Sequence, residues 1–352
     1  MHQPLLKATK ILIIKLRYIG DTLTLYPVIH TLYKEAPGIR VDVMIHKGTE
    51  EVLAHHPGIG RLWLYDRKKV KNSLISSIRY HIKLLKQLRS EKYDLVIDYS
   101  HGDRAAFLSL MTGAPERVTY TRSSRLSRLF MNRMIQADPF RYHIVDYQLL
   151  ALRLLGIERF ERTMGIVIPA HVEKRVEVLI KGSGLSPEGL KAAAIHPGAR
   201  GRLRQWRPER FAEIARRLRE SYGVKIFLIG GPDEEGIVRE VERHMGFSPA
   251  FSSTRLTLLE MAALFKRCRL FVGNDSAPAH IASAVDCPSV TLFGPTFPHM
   301  WRPYSPVGEV IFKNPPCCGC RQVKCVRPDN PCMDLIQVDE VWRKIKGLLE
   351  LF

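Results

Sequence analysis

Residues 10–23 read KILIIKLRYIGDTL. The opening run is apolar without alternation, as in a strand covered on both faces of a parallel sheet. It stops at Arg17-Tyr18, turns through Gly20, and gives way to a segment of helical period from Thr22 to Ala36. That order predicts a strand, a short turn and a helix, the first step of a βαβ unit. Asp21 stands directly behind the glycine at the strand's carboxyl end. Its type suits two roles equally: a cap for the helix from Thr22, or a carboxylate doing chemistry at a strand end.

Working outward, the pattern repeats. VDVMIH, RLWLYD and YDLVIDYS are further strand-like runs, and Ser73 to Ser90 is the clearest intervening helix. After LLGIERFERTMGIVIPA the alternation restarts with AAAIHP, KIFLIGG, RLFVGND and PSVTLFG, separated by helical segments near 208–220, 234–245 and 256–266. The reading is α/β, two doubly wound Rossmann-like domains in tandem, covering 1–165 and 166–337. A last helix over 338–352 is expected to cross back to the first domain.

Composition narrows the class. The 352 residues carry 54 Lys plus Arg against 35 Asp plus Glu, a formal net charge of +19. Such a surface favours a polyanionic partner: nucleic acid, an anionic membrane, or a phosphorylated substrate. The cations are spread through both domains, and no recognition module of a nucleic-acid-binding protein is present, so nucleic acid is not the expected partner. The N-terminal stretch lacks the h-region and cleavage site of a signal peptide, and no run approaches membrane-spanning length. A cytoplasmic location is expected, with the seven cysteines as free thiols or metal ligands.

Ligands of open α/β sheets bind beyond the carboxyl ends of the strands. AAAIHPGARGRLRQWRPERF places Gly198 in a turn and follows it with Arg200, Arg202 and Arg204, a set suited to phosphate oxygens or simply to a solvated basic loop. RLFVGNDSAPAHIASAV ends a strand at Asn274 and opens a helix with Asp275, Ser276 and Ala277, leaving the helix start small and open to an anion, with His280 one turn in. KIFLIGGPDEEG puts Asp233 and Glu234 behind two glycines, where a ribose could be held, although the same residues also make an ordinary turn. Neither G-x-G-x-x-G nor G-x-x-x-x-G-K-[ST] occurs in place, so dinucleotide-oxidoreductase and P-loop readings lack their fingerprints.

RYIGDTLTLYP, HPGAR…WRPERFAEIA and GNDSAPAHIASAVDCPSVTLFGPT together resemble the motifs of glycosyltransferase family 9, the ADP-heptose:lipopolysaccharide heptosyltransferases. Their order and spacing match over nearly the whole chain. The resemblance implies a GT-B arrangement, two Rossmann-like domains facing a central cleft, with acceptor on the first and ADP-heptose on the second. It makes Asp21 the catalytic base, and Gly198, Arg200, Arg204, Asp233, Asp275, Ser276, Ala277, His280 and Thr296 the donor site. Arg204 stands where the family usually has a lysine, replacing a point charge with a planar fork. Ala277 stands where glycine is commoner, narrowing backbone access to the donor.

Arg67, Lys68, Lys69 and Lys71 follow a strand end and are expected to meet the acidic groups of a lipopolysaccharide inner core. TRSSRLSRLFMNRMIQ spaces Leu126, Leu129, Phe130 and Met134 helically among arginines, for an anionic leaflet or, more simply, for an ordinary packed helix. Cys317, Cys318, Cys320, Cys325 and Cys332 lack paired zinc spacing and are read as a structural loop. No cofactor and no metal are expected. The implied setting is peripheral, at the cytoplasmic face of the inner membrane of a Gram-negative bacterium. A family member using another nucleotide sugar or acceptor is the alternative.

Overall fold

Strand β1 (Lys10–Lys15) sits in the middle of a six-stranded sheet, and Ile11 to Ile14 are all fully buried. The computed structural model describes residues 8–121, 124–320, 324–328 and 331–350; the side chains of Lys71, Asn72 and Leu126 lie outside that description. The chain divides into two compact units, Met1–Thr163 and Met164–Phe352.

The first unit runs β1, α1 (Ile19–Leu23), α2 (Tyr26–Glu35), β2 (Arg40–His46), β3 (Arg61–Tyr65), α3 (Arg67–Asn72) and α4 (Leu74–Ser90). It continues with β4 (Leu95–Asp98), α5 (Asp103–Met111), β5 (Glu116–Tyr120), α6 (Arg125–Phe130), β6 (Arg133–Ile135) and α7 (Ile144–Leu149). Its strand order is β3-β2-β1-β4-β5-β6, every pair parallel. The chain winds from β1 out through β2 and β3, then returns to the other side of β1 at β4. The β1/β4 seam is therefore the switch point, where a crevice opens at the strands' carboxyl ends.

The second unit begins with α8 (Ala170–Gly182), β7 (Ala192–His196), α9 (Pro208–Tyr222), β8 (Lys225–Ile229), α10 (Glu235–Met245) and β9 (Phe251–Ser253). Then come α11 (Leu258–Phe265), β10 (Leu270–Asn274), α12 (Ala277–Ala284), β11 (Ser289–Phe293), α13 (Pro298–Trp301), β12 (Gly308–Phe312) and α14 (Val338–Leu349). The order β12-β11-β10-β7-β8-β9, again all parallel, puts the switch point between β7 and β10.

The core of this unit explains its helices. In α9, Phe211, Ala212, Ile214, Ala215 and Leu218 turn inward, Pro208 starts the helix, and Gly223 ends it in the left-handed conformation at φ +64°. Trp206 is fully buried, meets Phe211 edge to face at 5.1 Å, and donates Nε1–H to Ile336 O at 3.0 Å.

The last helix shares this core. Val341, Ile345 and Leu348 of α14 belong to the same buried cluster as Trp206 and Phe211, and the helix packs on α9, β11 and β12. Each such side chain contributes about 1.5–3 kcal/mol on burial.

Candidate active site

In the second unit, the switch point is built around Asn274, the last residue of β10. Its Nδ2 donates to Pro197 O at 2.7 Å, and its Oδ1 accepts from Trp206 N at 3.1 Å. One buried amide thus ties the His196-Pro-Gly turn to the start of the Trp206 element. Glu234 closes the other side: its carboxylate lies 3.1 Å from His196 Nε2 and accepts from Gly231 N at 2.7 Å. Burial alone would raise the Glu234 pKa, but the His196 contact and the Gly231 N–H outweigh it and hold the carboxyl below its ordinary value. Gly198 is required by this packing, since a Cβ there would stand 2.1 Å from the Glu234 carboxyl.

The start of α12 lies beside this turn. Ser276 occupies the N-cap position but forms no cap hydrogen bond, and its Oγ has no partner among the described residues. Asp275 is buried, accepts from Thr296 Oγ1, and lies 3.7 Å from Arg204 Nη1. Of the donor-site residues expected from sequence, Arg204, Asp275 and Thr296 are in direct contact, and Gly198, Ser276 and Ala277 border the same strand ends. His280 is buried one turn into α12. Arg200 and Asp233 are exposed. The acid that turns into the site is Glu234 rather than Asp233.

The cysteine segment supports this region from one side. Cys317, Cys318, Cys320, Cys325 and Cys332 line a small cavity with Leu203 and Pro295, the neighbours of Arg204 and Thr296. All five thiols are free. A side chain on Gly294 would collide with Met333 Sδ at 2.6 Å, so the glycine lets the segment pack flush on the β11 end. No group of His, Cys, Asp or Glu among the described residues is arranged to hold a metal ion.

In the first unit, Asp21 lies within α1, whose N-cap is Tyr18. It is therefore not the cap of a helix starting at Thr22. Its side chain is partly exposed, and no hydrogen bond or ion pair engages its carboxylate among the described residues. Beneath it runs a buried polar network that the sequence reading did not single out. Lys15, at the end of β1, is 2% exposed, and its pKa is lowered to about 8 by burial, partly offset by the charges of Asp21 and Asp98. An ammonium only donates, so the Gln148 amide presents its oxygen to Lys15 Nζ at 2.8 Å and to Thr24 Oγ1 at 3.1 Å. Asp98 accepts from Ser100 N at 2.7 Å, while its other oxygen has no partner among the described residues; burial pushes its carboxyl up to about 7. Arg17 donates to Ser100 O at 2.6 Å, joining the ends of β1 and β4.

Arg67, Lys68 and Lys69 are exposed in α3, directly after β3, on the sheet edge that also carries Asp21. Asp66 caps that helix by accepting from Lys68 N at 3.0 Å and Lys69 N at 3.3 Å. The Lys71 side chain lies outside the described residues. The helix expected through Met134 stops at Phe130, and Met134 is in strand β6.

Comparison with known proteins bears on the family and the fold. Residues 81–329 match the model of glycosyltransferase family 9 (heptosyltransferase). Lipopolysaccharide heptosyltransferase 3 of Escherichia coli is 30% identical over 294 residues, spanning 82% of this chain and 85% of that one. Among solved structures, a glycosyl transferase family 9 protein from Veillonella parvula DSM 2008 superposes with a TM-score of 0.85 over 99% of both chains at 24% identity. E. coli heptosyltransferase WaaC, solved with ADP, gives 0.75 over 96% of this chain and 99% of that one at 20% identity. The fold class is GT-B.

Proposed function

The chain belongs to glycosyltransferase family 9, and from that premise we propose that it moves heptose from ADP-heptose to the inner core of lipopolysaccharide, with inversion at the anomeric carbon. The observation that carries the reading is the uncapped start of α12 beside Arg204 and the Gly198 turn. The positive end of a helix dipole with no side-chain cap, and a guanidinium beside it, make a site for a doubly charged diphosphate. ADP bound to a protein of the same fold supports the nucleotide.

In this mechanism Asp21 accepts the proton of an acceptor hydroxyl as its oxygen bonds to the anomeric carbon. The bond from that carbon to the β-phosphate oxygen breaks, and its electron pair leaves with ADP. Arg204 and the positive N-terminal end of α12 neutralise the charge that grows on the departing diphosphate, so they bind the transition state more strongly than the donor. Glu234, held by His196 and Gly231, takes a ribose hydroxyl. Arg67, Lys68 and Lys69 pair with phosphates and acidic sugars of the acceptor. The reaction uses no metal and no cofactor. Because the acceptor is lipid-borne, the enzyme works peripherally at the cytoplasmic face of a Gram-negative inner membrane.

The test is transfer to core acceptor isolated from a strain lacking the gene. ADP should be released and the acceptor should gain the mass of one heptose, with the opposite anomeric configuration by NMR. Retained configuration, or a different nucleotide sugar used in preference, would overturn the corresponding part of the reading.

A further inference from the structure

Helix α4 has one broad apolar face, and only part of it is covered. Leu84 and Leu88 are buried against the first sheet with Trp63 and Tyr93. Beside them, in the helix's N-terminal half, Leu74, Ile75, Ile78 and Ile82 are 77%, 66%, 49% and 50% exposed. These four positions fall within an arc of about 100° on a helical projection, a continuous aliphatic stripe. Arg79, Lys83 and Lys86 are exposed along one margin of it. From Arg67 to Ser90 the sequence contains eight Lys and Arg and no Asp or Glu. An isolated exposed leucine needs no explanation, but four large aliphatics in one stripe, bordered by a single sign of charge, do.

We propose that α4 seats this enzyme on an anionic bilayer surface, the aliphatic stripe entering the boundary between headgroups and acyl chains while Arg79, Lys83 and Lys86 engage lipid phosphates. Charge complementarity selects this occupant. An apolar stripe beside a cationic arc fits an interface that is greasy at one depth and negative at the next. The proposal rests on the heptosyltransferase reading, since a lipid-borne acceptor is what gives docking its use. α3 immediately precedes α4, so docking would hold its cations at the headgroups from which the acceptor glycan projects. The arginine-rich segment, for which the sequence left an anionic leaflet open beside the simpler packed-helix reading, forms the six-residue α6.

Vesicle co-sedimentation tests the surface directly, with phosphatidylethanolamine–phosphatidylglycerol vesicles against phosphatidylcholine vesicles. The wild type should partition roughly tenfold or more in favour of the anionic vesicles. Leu74→Gln/Ile75→Gln/Ile78→Gln/Ile82→Gln keeps helix propensity and touches no core position; it should lose about tenfold of that partition. It should keep wild-type transfer to a deacylated, soluble acceptor and lose transfer to acceptor embedded in vesicles. Partition of the variant equal to the wild type, indifference of the wild type to lipid charge, or a wild-type dimer that the substitutions split would each overturn the proposal. If the wild type glycosylates neither acceptor while partition behaves as expected, the docking surface stands and the functional reading falls.

Discussion

Asp21 is the third residue of α1, with Tyr18 at the N-cap, which removes the N-cap role and leaves the proposed role of base to be tested. A cap lost to asparagine would change little, because Asn and Asp cap about equally. Asp21→Asn should leave stability within about 1 kcal/mol and ADP-heptose affinity unchanged by calorimetry, while turnover falls by roughly 10²–10⁴. Near-normal turnover in the folded variant would remove Asp21 from the mechanism. The residue type was legible in the sequence; what the residue does not do required the helix start. Asp233 and Glu234 show the same limit, since two adjacent acids look alike until His196 and Gly231 engage one of them. Lys15 and Asp98 escaped notice because each ends an apolar run, where a charge reads as the strand's exit into solvent. Asp98 carries its own prediction. With its folded pKa raised to about 7, its contribution is fully present below the unfolded value and is lost as pH rises toward 7. Urea titrations at about pH 5 and pH 8 should show the wild type losing on the order of 2 kcal/mol, and Asp98→Asn should flatten that difference. Equal slopes in both proteins would mean that Asp98 is ionised throughout.

The elements were most legible where burial leaves the strongest mark. β1, β2, β4, β7, β8, β10 and β11 are runs buried on nearly every position, and each was visible as an apolar run. β5, β6, β9 and β12 were not read from sequence. β6, β9 and β12 are edge strands that bury few side chains, and β6 and β9 are three residues long. The helical spacing through Met134 failed for a related reason. Asn132 Oδ1 accepts from Arg117 N at 2.7 Å, drawing the chain after Phe130 into pairing with β5. At the start of α12, Asp275 and Ser276 are residue types that cap helices, yet Ser276 forms no cap bond and Asp275 turns to Thr296 and Arg204. A working N-cap serine typically costs about 0.5–2 kcal/mol when replaced by alanine. Ser276→Ala should therefore change stability by less than about 0.5 kcal/mol while raising the KM for ADP-heptose, because its Oγ is left for the diphosphate. Thermal denaturation beside donor kinetics separates the two, and a large stability loss with unchanged KM would restore the cap.

At the scale of the molecule, the net charge is +19, and the proposed mechanism assigns the neutralising of a leaving diphosphate to cationic groups of the protein itself. Glycosyltransferases that recruit a divalent cation for this need a carboxylate free to hold it against the phosphates. Asp275 is the acid at the head of α12, and its carboxylate already accepts from Thr296 and lies 3.7 Å from Arg204. Glu234 is likewise engaged, by His196 and the Gly231 amide. The sequence shows no D-x-D pair at a strand end that could replace them. The positive groups in place are a guanidinium and the N-terminal end of α12, fixed by the fold and unaffected by chelation. Transfer from ADP-heptose should therefore proceed at an undiminished rate in excess EDTA, and added magnesium or manganese should change kcat/KM by less than about twofold. Circular dichroism on the same samples guards against a loss of folding being taken for a loss of chemistry. Activity that vanished with chelator in a folded enzyme and returned with magnesium would show that a metal ion, not Arg204 and α12, carries the leaving-group charge.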